Sequence, residues 1–254
     1  MATNNESNNT VQENDFSVNR SLAGTAVESS VEHSDNTNAA SHARLLAQTG
    51  GGSGGDPFIL MSVSGVTSYS FGIDNTDDNL VITDSTSPSA GNDLWSMTSS
   101  GERTLPLQSA FYAYLSGSPT NVTGDLTTYT IAFDSEIFDQ NGDFNTGTYT
   151  FTAPVTGRYY LSTTHSSDNY NAAAYTQTTG FIETSNHSVI IYTYTGASYE
   201  SISGTGLYRF SGSTITDMDA ADTAYVTITV GNAAKTIRVL GTTNYTNFTG
   251  ALIC

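Results

Sequence analysis

The chain holds a single cysteine, Cys254, so no intrachain disulfide can staple it. Basic residues are almost as scarce: 7 lysines and arginines stand against 24 aspartates and glutamates, a formal net charge of −17. With no basic stripe to neutralise phosphates, nucleic acid is not an expected partner. Charged residues of either sign make up only 12% of the 254 residues, so solubility must come from Thr, Ser, Asn and Gly rather than from salt-bridged surface. No apolar run approaches the ~20 residues of a membrane-spanning helix. The start, MATNNESNNT, has neither the basic n-region nor the apolar h-region of a secretory signal. The sequons at Asn121, Asn186 and Asn244 therefore read as products of an Asn/Thr-rich composition rather than as glycan acceptors. Familiar catalytic patterns are missing too: there is no HExxH, GxSxG, Cys-His or phosphate-loop motif, and His33, His42, His165 and His187 have no metal-ligand spacing.

What is present falls into three parts. Residues 1–50 are rich in Asn, Ser, Glu and Thr, with Phe16 the one aromatic, a composition too polar to order itself without a partner. Within it SHARLLAQ, Ser41 to Gln48, predicts a short helical turn. Residues 51–107 open with the glycine hinge GGGSGGDP, which begins at Gly50, and continue as short strands broken by Gly, Pro, Asn and Asp turns. This stretch predicts a small β neck that packs between chains. Residues 108–254 carry one Tyr-, Phe-, Thr-, Val- and Ile-rich run after another with period-two alternation, and helical periodicity is missing. The expected fold is all-β, a sandwich or jelly roll.

The order of features from Gln108 onward is specific. An Ala110-Phe111 strand is followed by Phe133-Asp134, then by Asn141 and Phe144, then by Thr146-Gly147, Tyr149, Phe151, Pro154, Gly157, Tyr159 and Tyr160. The chain closes on Phe248, Gly250 and Leu252. This order resembles the globular head of complement component 1q, within the tumour-necrosis-factor-like jelly-roll superfamily. The family's Gly-Asp before its penultimate strand stands here as Ala221-Asp222. Upstream, SYSFGIDNTDDNLVITD and NDLWSMTSSG resemble segments of bacteriophage head- and tail-fibre proteins. Together the two resemblances imply a homotrimeric jelly-roll head on a virion fibre that lacks enzymatic activity.

The candidate sites follow. In APVTGRYY, Pro154 and Gly157 are expected to shape a tight or left-handed turn, with Tyr159 and Tyr160 packing the sandwich or a subunit interface. Asp139, Asn141 and Asp143 form a DxNxD-like cluster that suggests calcium, although the acidic twelfth position of a calcium-binding EF-hand loop is Thr150. Asp74, Asp77 and Asp78 form a second acidic group. Asp134 and Glu136, two apart on an expected strand, share a face and would serve as the carboxylate pair of a polysaccharide hydrolase. The loops 166–177 and 194–206 combine Tyr with Ser, Asn and Gly, the chemistry of adaptable recognition surfaces. Tyr170, Asn171, Tyr175, Tyr199 and Glu200 are the expected receptor contacts. Residues 1–50 are expected to anchor to a capsid or tail protein at the virion surface, with the head meeting a host glycan or protein. A capsid decoration protein without a specific receptor is the competing expectation, and a tailspike-type hydrolase the next.

Overall fold

The computed structural model describes residue 37 and residues 45–89, 91–171, 173–196 and 206–254. Most of the expected anchoring tail, with His33 and His42, lies outside the described residues. Of the expected helical turn, the described part forms no helix, with Leu45 78% and Leu46 62% exposed. Two neighbouring leucines with nothing to pack against leave a single turn unsupported.

The remainder is all-β, with no α-helix among the described residues. The strands are β1 (Phe58–Val63), β2 (Thr67–Asp74), β3 (Asn79–Thr83), β4 (Asp93–Met97), β5 (Arg103–Thr104), β6 (Ala110–Tyr114), β7 (Asp125–Thr130), β8 (Ser135–Asp139) and β9 (Phe144–Asn145). They continue as β10 (Thr150–Thr152), β11 (Gly157–Asp168), β12 (Gln177–Thr184), β13 (Ser188–Thr195), β14 (Tyr208–Met218), β15 (Thr223–Gly231), β16 (Arg238–Val239) and β17 (Asn247–Leu252). The first five form an antiparallel meander in chain order. All the others but β7 build two antiparallel sheets, β13-β12-β15-β10-β9 and β14-β11-β17-β6-β8, with β16 added to β11, and β7 lies against β15. These two sheets face each other as a jelly-roll sandwich, the head.

Alternation explains how the head closes. In β11, Tyr159, Leu161, Thr163 and His165 point inward while Arg158 and Tyr160 point out, so the paired tyrosines part to opposite faces. Tyr159 is fully buried and its hydroxyl donates to the Val155 carbonyl at 2.7 Å, tying down the APVTG turn. Between the sheets Phe111 stacks on Phe151 at 4.8 Å and on Phe144 at 5.1 Å, and meets Phe248 edge-on at 5.1 Å. Each such ring contributes roughly 1.5–3 kcal/mol by burial alone. Gly250 lies under this cluster; a Cβ there would stand 2.4 Å from Phe111 Cε1.

Several local expectations give way to tertiary geometry. The run TYTIAFDSEIF breaks into β7 and β8, because the chain crosses between sheets at Ile131–Asp134. Ile131 N–H bonds the Val226 carbonyl of β15 at 3.0 Å, whereas β8 pairs with β6. Tyr149 turns left-handed at φ 62°, so β10 begins only at Thr150. Gly157 does not make the expected left-handed turn: it is the first residue of β11, opposite Met218. A Cβ there would meet the Cys254 carbonyl oxygen at 2.7 Å, so its role is to admit the last strand closely. The left-handed residue lies across the turn, at Ala221 with φ 73°, where the family pattern has glycine.

Candidate functional site

The 166–177 loop sits at one end of the sandwich, where β11 runs out at Asp168. Arg238 of β16 grips that carboxylate with both Nε, at 3.0 Å, and Nη2. Asn169 turns left-handed at φ 67°. The next residue, Tyr170, points inward instead of out. It lies 4% exposed, its ring edge-on to Tyr208 at 5.2 Å and to Tyr175 at 5.6 Å, its hydroxyl 2.7 Å from Ser167 Oγ. Burial pushes the Tyr170 phenol up from its ordinary value. Tyr175, 8% exposed, donates its hydroxyl to the Tyr194 carbonyl at 3.2 Å.

These two tyrosines belong to a second apolar core with Tyr192, Phe210, Val230 and Ile237. The expectation that Tyr170 and Tyr175 contact a receptor is therefore corrected: both close this end of the sandwich. Asn171 is exposed, and its groups are used in the turn. Its N–H donates to Asn232 Oδ1 at 2.7 Å and its own Oδ1 accepts from Ala173 N–H at 3.1 Å. Tyr199 and Glu200 lie outside the described residues.

His165 completes the inner aromatic stack. It is fully buried against Phe210 at 4.9 Å, with the Tyr192 hydroxyl 2.6 Å from Nδ1. Desolvation lowers its pKa to about 3, so the ring stays neutral at any physiological pH and acts as a packing group. Its place in the period-two series Tyr159, Leu161, Thr163, His165 is the sequence signal that separates it from the exposed His187, which precedes β13.

The acidic clusters are hydrogen-bonded turns. Asp139 accepts the N–H of Asp143 at 3.0 Å and of Phe144 at 2.8 Å, and Asn141 Nδ2 reaches both Asp143 oxygens at 3.2 Å. Asp74 accepts Thr76 N–H at 2.9 Å and Asp77 accepts Asn79 Nδ2 at 2.9 Å, while Asp78 turns left-handed at φ 60°. Among the described residues no three His, Cys, Asp or Glu side chains converge to hold a metal ion. At the expected calcium cluster of Asp139, Asn141 and Asp143, the loop's own amides bond the Asp139 carboxylate.

The carboxylate pair dissolves as well. Asp134 precedes β8, and its two oxygens accept Ser116 N–H and Oγ–H, each at 2.8 Å. Glu136 lies on β8, where desolvation and then Asp139 raise its pKa. The two therefore do not share a strand face with free oxygens.

The surfaces left open are of two kinds. At the loop end a hollow of about 340 Å³ opens between Asp125, Leu126, Ala174, Thr176 and Ala233. Leu126 on its rim is 56% exposed and held left-handed at φ 68°, a strained setting for a bulky side chain. At the opposite end a hollow of about 630 Å³ is lined by Thr156, Arg158, Asn186, His187, Asp217 and Asp219. Behind it Asp222 accepts Ser185 Oγ at 2.7 Å, Asp219 N–H at 2.8 Å and Asn186 Nδ2 at 2.5 Å, bonds that hold its carboxyl below the usual range.

The second kind is broad and apolar. The outward face of the β14-β11-β17-β6-β8 sheet presents Ile215 beside Tyr160, and Tyr112 beside Phe138, across a middle of Ser162, Ser213 and Thr249. Tyr160 is 42%, Phe138 48% and Ile215 62% exposed.

A family model described as the C1q domain matches residues 110–253. Among solved structures, the globular domain of zebrafish complement 1qA is similar at 18% identity, covering 58% of this chain and 98% of that one with a TM-score of 0.41. Murine APRIL, crystallised at pH 8.5, is similar at 7% identity, covering 57% and 99% with a TM-score of 0.41. No curated protein matches the chain.

Proposed function

The chain belongs to the C1q-domain family. From that membership we propose that it is a non-enzymatic, self-associating binding protein, and from the resemblance of SYSFGIDNTDDNLVITD and NDLWSMTSSG to bacteriophage fibre segments that it is the fibre of a virion. Residues 1–50 anchor it to a capsid or tail protein, residues 51–107 form the neck, and residues 108–254 form a trimeric head that meets a host glycan or protein.

The observation that carries this reading is the outward face of the β14-β11-β17-β6-β8 sheet. A face with Tyr160, Phe138 and Ile215 in water, and small hydroxyl side chains between them, is built to be covered by protein. Three copies packed through it would leave both ends of the sandwich uncovered. The host contact then falls on the loop end, around Asn171 and the hollow rimmed by Leu126 and Ala174, rather than on the buried tyrosines. The acidic character of the chain favours neutral or cationic targets over anionic ones.

The test is competition for host cells. Purified full chain, added ahead of virions, is expected to block adsorption, and charge substitutions at Asn171 and Ala174 are expected to abolish the block without changing assembly. Adsorption unaffected by a saturating excess would remove the receptor-binding role and leave the decoration reading. A density map of the particle in which residues 1–50 touch no virion component would remove the anchoring role.

A further inference from the structure

Among the described residues, nothing lies upon the apolar face of the sheet β1–β5. Strand register places its side chains in rows. Ile59, Phe71, Ile82 and Trp95 lie across four strands, Ile73, Leu80 and Met97 form the next row, and Met61 pairs with Tyr69. Six of these residues are between 36% exposed (Ile82) and 56% exposed (Met61), with Ile59, Tyr69, Phe71 and Ile73 between. Taking about 200 Å² for a fully exposed large side chain, they leave on the order of 500 Å² of apolar surface in water. That is near the top of the range of about 300–600 Å² for the largest patch on a monomer.

The opposite face of the same sheet is closed over β2 and β3: Ser70, Val81 and Thr83 are fully buried, and Ser70 Oγ lies 2.6 Å from Thr83 Oγ1. The sheet's two edges differ as well. β5 is two residues long and carries Arg103, which blunts that edge. β1 is six residues, FILMSV, paired on one side only, and Ile59, Leu60, Met61 and Val63 are 45–59% exposed. From Phe58 to Ile73 there is no charged residue, in a chain of net charge −17. A bare, apolar, uncharged edge next to a bare apolar face is an aggregation hazard unless something covers both.

We propose that this face and the β1 edge are a second self-association surface, covered by the same surface of other copies of this chain. The area selects that occupant. About 500 Å² per copy falls short of the ~800 Å² per partner of a stable stand-alone complex, so the face holds only as part of a larger interface. The head sheet supplies the remainder, since copies already brought together there present their necks to each other at high effective concentration. A strongly acidic chain also needs its contact between copies free of charge, and Phe58 to Ile73 is the stretch that meets this need. The inference rests on the head-to-head association proposed above and adds to it the neck as an independent contact.

The experiment uses the full chain and a two-by-two set of variants. Phe71→Glu with Ile82→Glu places charge on the neck face without altering strand register. Tyr160→Glu with Ile215→Glu does the same on the head face. Light scattering behind size exclusion is expected to show the neck variant dissociating at a chain concentration raised at least about tenfold. An assembly in which the neck variant matches the parent overturns the neck contact and leaves the head reading intact. Dissociation by the neck variant alone, with the head variant unchanged, upholds the neck contact and overturns the head reading. A second measurement is independent of folding defects: in a C254S background, F71C is expected to cross-link copies to one another under mild oxidation at micromolar chain. A monomer whose F71C is shielded would assign the cover to the chain's own residues 1–44, and a monomer whose F71C is freely reactive would assign it to another partner. Either overturns the proposal.

Discussion

The neck and the head obey the same strand chemistry and reach opposite results. In the head, two sheets supply each other with an apolar face, and Phe111, Phe133, Phe151, Tyr159 and Phe248 are at most 1% exposed. In the neck one sheet carries an equally apolar face with no second layer among the described residues, and Phe71 and Ile73 stay 39% and 42% exposed. The lesson is that alternation prescribes a two-faced strand but does not say whether the same chain provides the cover. The head holds its core within one chain. The neck points to a core made between chains.

The largest expected effect breaks this comparison if it fails. Phe248→Ala should cost the head about 3–5 kcal/mol in urea unfolding, whereas Phe71→Ala should cost a dissociated chain under ~1 kcal/mol and show its larger effect only when copies associate. Equal losses in both settings would mean the neck owns a core.

Next in size is the acid response that His165 gives the head. His165 has a native pKa of about 3, below its unfolded value of about 6.5, so the unfolded chain binds more protons between those limits. Head stability is therefore full above pH ~6.5 and falls as the pH drops, by at most about 1.4 kcal/mol per unit. Urea midpoints at pH 7 and pH 5, where most carboxylates remain ionised, measure it. His165→Leu should flatten the slope whatever it does to the absolute midpoint.

A smaller gain is expected at the turn joining β14 and β15. Ala221 sits left-handed at φ 73°, and Ala221→Gly should stabilise the head by about 0.5–1 kcal/mol, visible as a raised melting temperature. The smallest effect is the exposed Arg158–Asp217 pair, 3.1 Å apart with the side chains 64% and 80% exposed. Arg158→Ala should change unfolding by less than about 0.5 kcal/mol, which sharpens the point that exposed polar contacts carry little here.

Much of the fold was legible because strand alternation is local. GRYYLSTTH became β11 with Tyr159 in and Tyr160 out, and the hairpin of β1 and β2 follows from FILMSV, a left-handed Gly65, and TSYSFGID. What was not legible depended on partners far along the chain. Tyr170 and Tyr175 have the same loop composition whether they face water or fold inward, and Tyr208 and Phe210 of β14, which take them in, come more than thirty residues later. Gly157 read as a turn former, but its reason is the approach of Cys254 from the other end of the sequence. The carboxylates read as ligands or catalysts because spacing records proximity along the chain. It does not record that backbone amides reach the oxygens first, as at Asp139 and Asp134.

Sedimentation equilibrium of the full chain across a wide concentration range tests the central claim most directly. The account predicts a single species at three times the chain mass, persisting well below micromolar concentration. A chain that remains monomeric at the highest concentration reached would contradict it.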